Sequence, residues 1–116
     1  KYSAGDKWIF LADIKQINSD LTGVAVDGVE FVIVKKDGDL HVFSGVCLHS
    51  EALLSHGFLD GDYLTCGSHL WRYNIQNGEL DGEPGIYLKK LNVRQENEKI
   101  FVQSTDLEEL RDLDEY

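Results

Sequence analysis

Two cysteines and two of the four histidines fall into a compact pattern: Cys47-Leu48-His49, sixteen residues, then Cys66-Gly67-Ser68-His69. Thiolates are soft ligands suited to iron or zinc, and neutral imidazole suits the same metals, so the set is that of a metal centre. Structural zinc is one candidate, but zinc sites usually space paired ligands by two to four residues so that one loop wraps one ion. Cys47 and His49 are separated by a single residue, which is tight for one ion. The gap is natural if the two bind different metal atoms, as in a [2Fe–2S] cluster with thiolates on one iron and imidazoles on the other. The other two histidines fit no such spacing. His41 falls in a strand-like segment and reads as structural, and His56 lies between the pairs without ligand spacing.

Loops of this kind need a sheet to hold them, and the chain reads as strands separated by turns. Alternating apolar patterns mark strands at residues 7–11, 24–26, 29–35, 40–43, 63–66, 70–75, 87–93 and 100–103, with a short helical turn over 13–17. Asp27-Gly28 and Asp37-Gly38 sit between such runs as hairpin turns, where both central residues must tolerate positive φ. Further turn pairs occur at Asp60-Gly61, Asn77-Gly78 and Asp81-Gly82. The first metal-ligand loop follows the strand ending near Phe43, and the second follows residues 63–65, so two loops from one sheet can close like fingers. Gly45, Gly57 and Gly67 are expected to permit the loop bends. The fold class is therefore all-β, an antiparallel sandwich with a small two-loop metal-binding part. Residues 1–104 are expected to form a single domain, with 45–86 as its metal-binding part. Residues 105–116 form an acidic helix or tail: Thr105 to Glu108 has capping-box spacing, and Leu107, Leu110 and Leu113 recur at helical intervals.

Composition narrows the function. The chain has 116 residues, 21 of them acidic and 11 basic, for a net charge of −10. Nucleic-acid binding is a poor match, because phosphates need Lys and Arg. An acidic surface instead suits transient docking to basic protein patches. No apolar run approaches the ~20 residues of a membrane span, and no secretory leader pattern is present. Two cysteines, each beside a histidine, indicate metal binding in a reducing cytoplasm rather than a disulfide framework. The chain contains no methionine, so a trimmed start stays open, while the acidic end at Tyr116 reads as a true terminus.

With these residues in hand, the sequence resembles the Rieske [2Fe–2S] proteins, whose signature is Cys-x-His, a spacer of this size, and Cys-x-x-His. The aromatic-led first strand at Trp8, the hairpin before Cys47 and the turn at Asn77-Gly78 extend the likeness over most of the chain. The resemblance implies one [2Fe–2S] cluster held by Cys47, His49, Cys66 and His69, and a third loop around Pro84 that shields it. It also implies Tyr73, four residues after the last histidine, as a hydrogen-bond donor to a cysteine sulfur. High-potential members carry Ser two residues after that histidine and an extra cysteine in each loop; here the matching positions are Trp71, Ala52 and Ser68. The family often has proline where Leu48 stands. The missing serine and the two missing cysteines imply a lower-potential soluble ferredoxin: a monomeric, non-catalytic one-electron carrier from an NAD(P)H-dependent flavoprotein reductase to a terminal oxygenase. Residues 53–57 and 69–74 look closer to ferredoxins of toluene-type diiron monooxygenases than to those of ring-hydroxylating dioxygenases. The dioxygenase ferredoxin is the alternative, and a zinc-held structural or binding module a further one.

Overall fold

A computed structural model describes residues 7–26, 28–48, 52–67 and 71–106. Among the described residues, ten strands form three antiparallel sheets. They are β1 (Trp8–Asp13), β2 (Leu21–Val26), β3 (Val29–Lys36), β4 (Asp39–Ser44), β5 (Phe58–Asp60), β6 (Tyr63–Thr65), β7 (Arg72–Asn74), β8 (Lys90–Leu91), β9 (Val93–Glu96) and β10 (Lys99–Gln103). The central sheet runs β2-β3-β4-β8, a second runs β1-β10-β9, and a third, smaller sheet runs β5-β6-β7.

β3 explains the layering. Its side chains alternate between the two faces of the sheet, and both faces are covered, so residues 31–34 are apolar at every position. Phe31 and Ile33 pack with Leu11, Val42, Leu91, Ile100 and Val102 toward the β1-β10-β9 sheet. Val32 and Val34 pack on the other side with Phe43, Leu54, Leu64, Tyr73, Ile75 and Leu88, together with Cys47 and Cys66. The central sheet thus separates two cores, and only the second contains cysteine.

The hairpins form where the glycines mark them. Val26 pairs directly with Val29, and Gly28 takes φ +80°, while Asp27 lies outside the described residues. Asp37 and Gly38 both adopt positive φ between Lys36 and Asp39. At the β5–β6 turn Asp60 is still paired, with Tyr63, so the two-residue loop is Gly61-Asp62. The expected turn at 13–17 is a 3-10 turn, Ile14–Gln16, closed by a capping box between Asp13 and Gln16.

Three sequence expectations change. β5 pairs with β6 although three residues give too short a pattern to stand out. The single strand expected over 87–93 is split: β8 joins β4 and β9 joins β10, with Asn92 at the change of sheet. Its backbone N–H donates to the Asp106 carboxylate at 3.1 Å instead of to a strand. Residues 104–106 are helical, so Thr105 lies inside the turn rather than at its N-cap, and Asp106 also binds Lys89 at 3.2 Å. The remainder of the expected acidic helix, 107–116, lies outside the described residues. Among the described residues, no helix is long and apolar enough to cross a membrane.

Candidate metal centre

The first ligand loop leaves β4 under close constraint. Ser44 and Gly45 donate to the carbonyls of Lys89 and Glu30 at 2.9 and 2.8 Å. A side chain at residue 45 would place its Cβ 2.8 Å from the Glu30–Phe31 peptide, so glycine is required for close approach. The Cys47 N–H donates to the Ala52 carbonyl at 3.0 Å, and Leu54 N–H to Gly45 at 2.8 Å, which clasps the loop at its base. The second loop closes in the same way, with Cys66 N–H on the Trp71 carbonyl at 2.8 Å. Gly57 presses against this finger: a Cβ there would lie 2.0 Å from the Thr65 carbonyl oxygen. Gly67 has neither a positive φ nor a tight neighbour, so the expected bend does not depend on its being glycine.

Both cysteines are buried, Cys47 at 3% exposure and Cys66 at 0%, in the same apolar core. His49 and His69 lie outside the described residues. Tyr73, on β7, is fully buried. Its hydroxyl lies 3.3 Å from the Cys47 sulfur and accepts the Leu48 N–H at 3.2 Å. With the backbone donor on the phenol oxygen and Cys47 as thiolate, the phenol proton points at the sulfur. Burial, and next the bond to Cys47, push the Tyr73 pKa well above its ordinary value, so the group stays a donor. Two buried thiols beside a fixed donor suit metal-bound thiolates, which would be costly as bare buried anions.

Two lysines of the central sheet hold the small sheet in place. Lys36 donates to the Gly61 carbonyl at 2.8 Å and faces Asp62 at 3.6 Å. Lys90 donates to the carbonyls of Ile75 and Gln76 at 3.0 and 2.8 Å and meets His41 Nδ1 at 3.0 Å. All three ammonium protons are thereby used. His41 is structural, as its strand position suggests, while His56 is exposed on the 3-10 turn Leu54–His56. Nothing in the sequence pointed to the two lysine contacts, because their partners are 14 to 49 residues away.

The third loop folds over the β7 end. Leu80 N–H donates to Ile86 at 2.8 Å, Asp81 N–H to Arg72 at 2.8 Å and Glu83 N–H to Leu80 at 3.1 Å. Gly82 and Gly85, flanking Pro84, both take positive φ. The glycines and proline are therefore part of a built loop that packs beside Trp71 and Arg72.

Three antiparallel sheets with two clasped loops, each delivering one buried cysteine, define an iron–sulfur protein of the Rieske kind. Residues 7–95 match the Rieske [2Fe–2S] domain, and the chain belongs to that family, with one [2Fe–2S] cluster as its cofactor. Among curated relatives, it is 27% identical to the naphthalene 1,2-dioxygenase system ferredoxin component of Pseudomonas aeruginosa, over 84% of this chain and 95% of that protein. It is 26% identical to the alkene monooxygenase system ferredoxin component of Xanthobacter autotrophicus, over 63% of this chain and 61% of that one. Among solved structures, the ferredoxin of carbazole 1,9a-dioxygenase from Nocardioides aromaticivorans superposes with a TM-score of 0.72 at 23% identity, covering 83% of this chain and 96% of that one. The fold is therefore that of the Rieske ferredoxins, and the chain is an electron-transfer component rather than an enzyme.

Proposed function

We propose that the chain carries single electrons from a flavoprotein reductase to a Rieske non-haem ring-hydroxylating dioxygenase. The observation that carries this reading is the likeness to a naphthalene dioxygenase ferredoxin component along nearly its whole length. The short motifs at 53–57 and 69–74, which leaned toward a diiron monooxygenase, weigh less than similarity over 99 residues. A monooxygenase partner keeps some support from the alkene monooxygenase ferredoxin, which matches over a shorter span.

In this reading Cys47 and Cys66 bind one iron, and His49 and His69 the other. The burial of both thiols in one core supports the first half of that assignment. When bound, the cluster supplies reversible one-electron chemistry in a range of roughly −150 to +300 mV. The protein's own part is to position and to tune. The clasped loops fix the thiols, Tyr73 donates to the Cys47 sulfur, and the apolar core keeps water from both. Trp71 stands where high-potential members have a serine donor, and the reading therefore places the potential low in that range, near or below zero.

Purified holoprotein combined with naphthalene dioxygenase and its reductase should support NADH-dependent dihydroxylation of naphthalene. No turnover there, with turnover in an alkene monooxygenase system, reverses the choice of partner. Separately, Cys47→Ser and His69→Ala should each abolish the reduced Rieske EPR signal. A retained signal in either overturns the ligand assignment.

A further inference from the structure

Among the described residues, the tip of the third loop has one backbone bond to the small sheet. Leu80 and Ile86 close the loop on itself, as do Glu83 and Leu80, and only the Asp81 N–H reaches out, to the Arg72 carbonyl at 2.8 Å. Residues 81–86 are all exposed. An open groove of about 350 Å³, lined on one side by Trp71 and Arg72 and on the other by Leu80 to Glu83, runs between loop and sheet. Leu80 alone turns inward. It is 4% exposed, packs in the core that holds Cys47 and Cys66, and bridges to Tyr73. The loop is therefore tethered rather than packed, and its one buried side chain seals the cysteine core.

The Arg72 guanidinium doubles that tether. One terminal nitrogen lies 3.7 Å from the Asp81 carboxylate on the loop, and the other lies 3.6 Å from Asp60 on β5. The group also stacks 4.3 Å over the Tyr63 ring on β6. Since Arg72 itself begins β7, one side chain joins every strand of the small sheet to the loop. As a source of stability the arrangement is poor. Half-exposed ion pairs contribute little, and among the described residues the buried Arg72 Nε has no hydrogen-bond partner, which costs stability. What the side chain supplies is placement.

We propose that Arg72 is a positioning residue: it holds Asp81 to the small sheet, keeps Leu80 seated in the cysteine core, and so limits the access of water to the cluster. The inference rests on Cys47 and Cys66 as cluster ligands and adds what keeps their core dry. Solvent access helps to set both the lifetime and the potential of such a centre. With two thiolates and two neutral imidazoles, reduction leaves the cluster with a net negative charge, which water stabilises. Opening the loop therefore raises the potential. Deleting a positive charge without opening the loop lowers it, so the sign of the shift separates the two effects.

The test compares holoprotein carrying Arg72→Met, Asp81→Asn, both changes together, or Arg94→Met. Arg94 is the control: it also lies over a ring, 5.8 Å from Trp8, and pairs with Glu96 at 2.7 Å, but on β9. Iron loss from the reduced protein to bathophenanthroline, followed well below the thermal midpoint, should be about tenfold faster in Arg72→Met and roughly fivefold faster in Asp81→Asn. The double variant should lose iron no faster than Arg72→Met, because the two residues act as one tether. Arg94→Met should stay within about twofold of the natural protein. The midpoint potential should rise in Arg72→Met although a positive charge is lost, and the thermal midpoint should move no further than in Arg94→Met. Unchanged iron loss in Arg72→Met, effects that add in the double variant, or a falling potential would each overturn the proposal. A lowered thermal midpoint with an unmoved potential would make Arg72 merely structural and overturns it too. Cys47→Ser reports separately on the ligands. A lost Rieske EPR signal there, with unchanged iron loss in Arg72→Met, keeps the ligand assignment and removes the tether; a retained signal with coupled iron loss removes the assignment and keeps the tether.

Discussion

The phenol of Tyr73 has two neighbours that fix the direction of its proton, the Leu48 N–H at 3.2 Å and the Cys47 sulfur at 3.3 Å. A donor to a ligand sulfur stabilises the extra negative charge of the reduced state and so raises the potential. Tyr73→Phe removes about 1 kcal/mol of such bonding, which at ~59 mV per tenfold for one electron is about 40 mV. The midpoint potential should fall by a few tens of millivolts in protein-film voltammetry; an unchanged midpoint would show that the bond does not act on the reduced state. Tyr73 was legible through the family resemblance, which implies a tyrosine donor four residues after the last histidine. His41 is a different case, since its contact with Lys90 joins residues 49 apart. Burial first, and then the Lys90 charge, pull the His41 pKa below its ordinary value, with Asp39 opposing. The folded state therefore disfavours the imidazolium, and the unfolded chain takes up a proton first as pH falls. Stability is full above the unfolded value of ~6.5 and declines as pH drops below it toward the lowered folded pKa. Urea midpoints measured between pH 7.5 and 5 should fall more steeply for the natural protein than for His41→Gln, and parallel slopes would exclude His41 as a cause.

At the scale of elements, the two fingers meet where a glycine leaves room. A Cβ at residue 57 would lie 2.0 Å from the Thr65 carbonyl, whereas at Gly67 the nearest contact is an ordinary 3.5 Å. Gly57→Ala must push the first loop away from the strand that delivers Cys66. It should cost about 1–3 kcal/mol as overpacking and lower the iron content of purified protein, while Gly67→Ala keeps both iron and thermal midpoint. Comparable losses in the two variants would refute the distinction. Such a contact is invisible in sequence, where the two glycines look alike. The hairpins were legible because Asp37-Gly38 and Gly28 carry the positive φ that tight turns need. The β9–β10 turn escaped notice because Asn97 and Glu98 adopt the same left-handed backbone, at φ +52° and +64°, without a glycine to mark it. The break at Asn92 was hidden by apolar residues on both sides, and only Asp106, 14 residues on, takes up its backbone N–H.

Over the whole molecule, the central sheet divides the apolar residues into two cores of different chemistry. One core, with Phe31, Ile33, Val42, Ile100 and Val102, contains no cysteine, and the other encloses both Cys47 and Cys66. The strand at β3 was legible from its apolar residues, but their division between the two cores was not. The second brings together residues from 32 to 88 through loops whose closure no local pattern encodes. Iron binding is linked to folding because the ligands are bound in the native arrangement and dispersed in the unfolded chain. That linkage acts on the second core directly and on the first only through the shared sheet and the Lys36 and Lys90 contacts. Removing iron with a chelator under reducing conditions should therefore lower the thermal midpoint, each ~1 kcal/mol lost shifting it by roughly 4–8 °C in a domain of this size. Hydrogen exchange should then divide the molecule. Amides of β5, β6 and β7 lose protection in the apoprotein, while those of β3 and β10 keep most of theirs. Lys90→Met, which cuts the contacts to Ile75 and Gln76, should widen that difference. Uniform loss of protection across all ten strands would mean that the two cores unfold as one unit and that the cluster stabilises the whole sandwich equally.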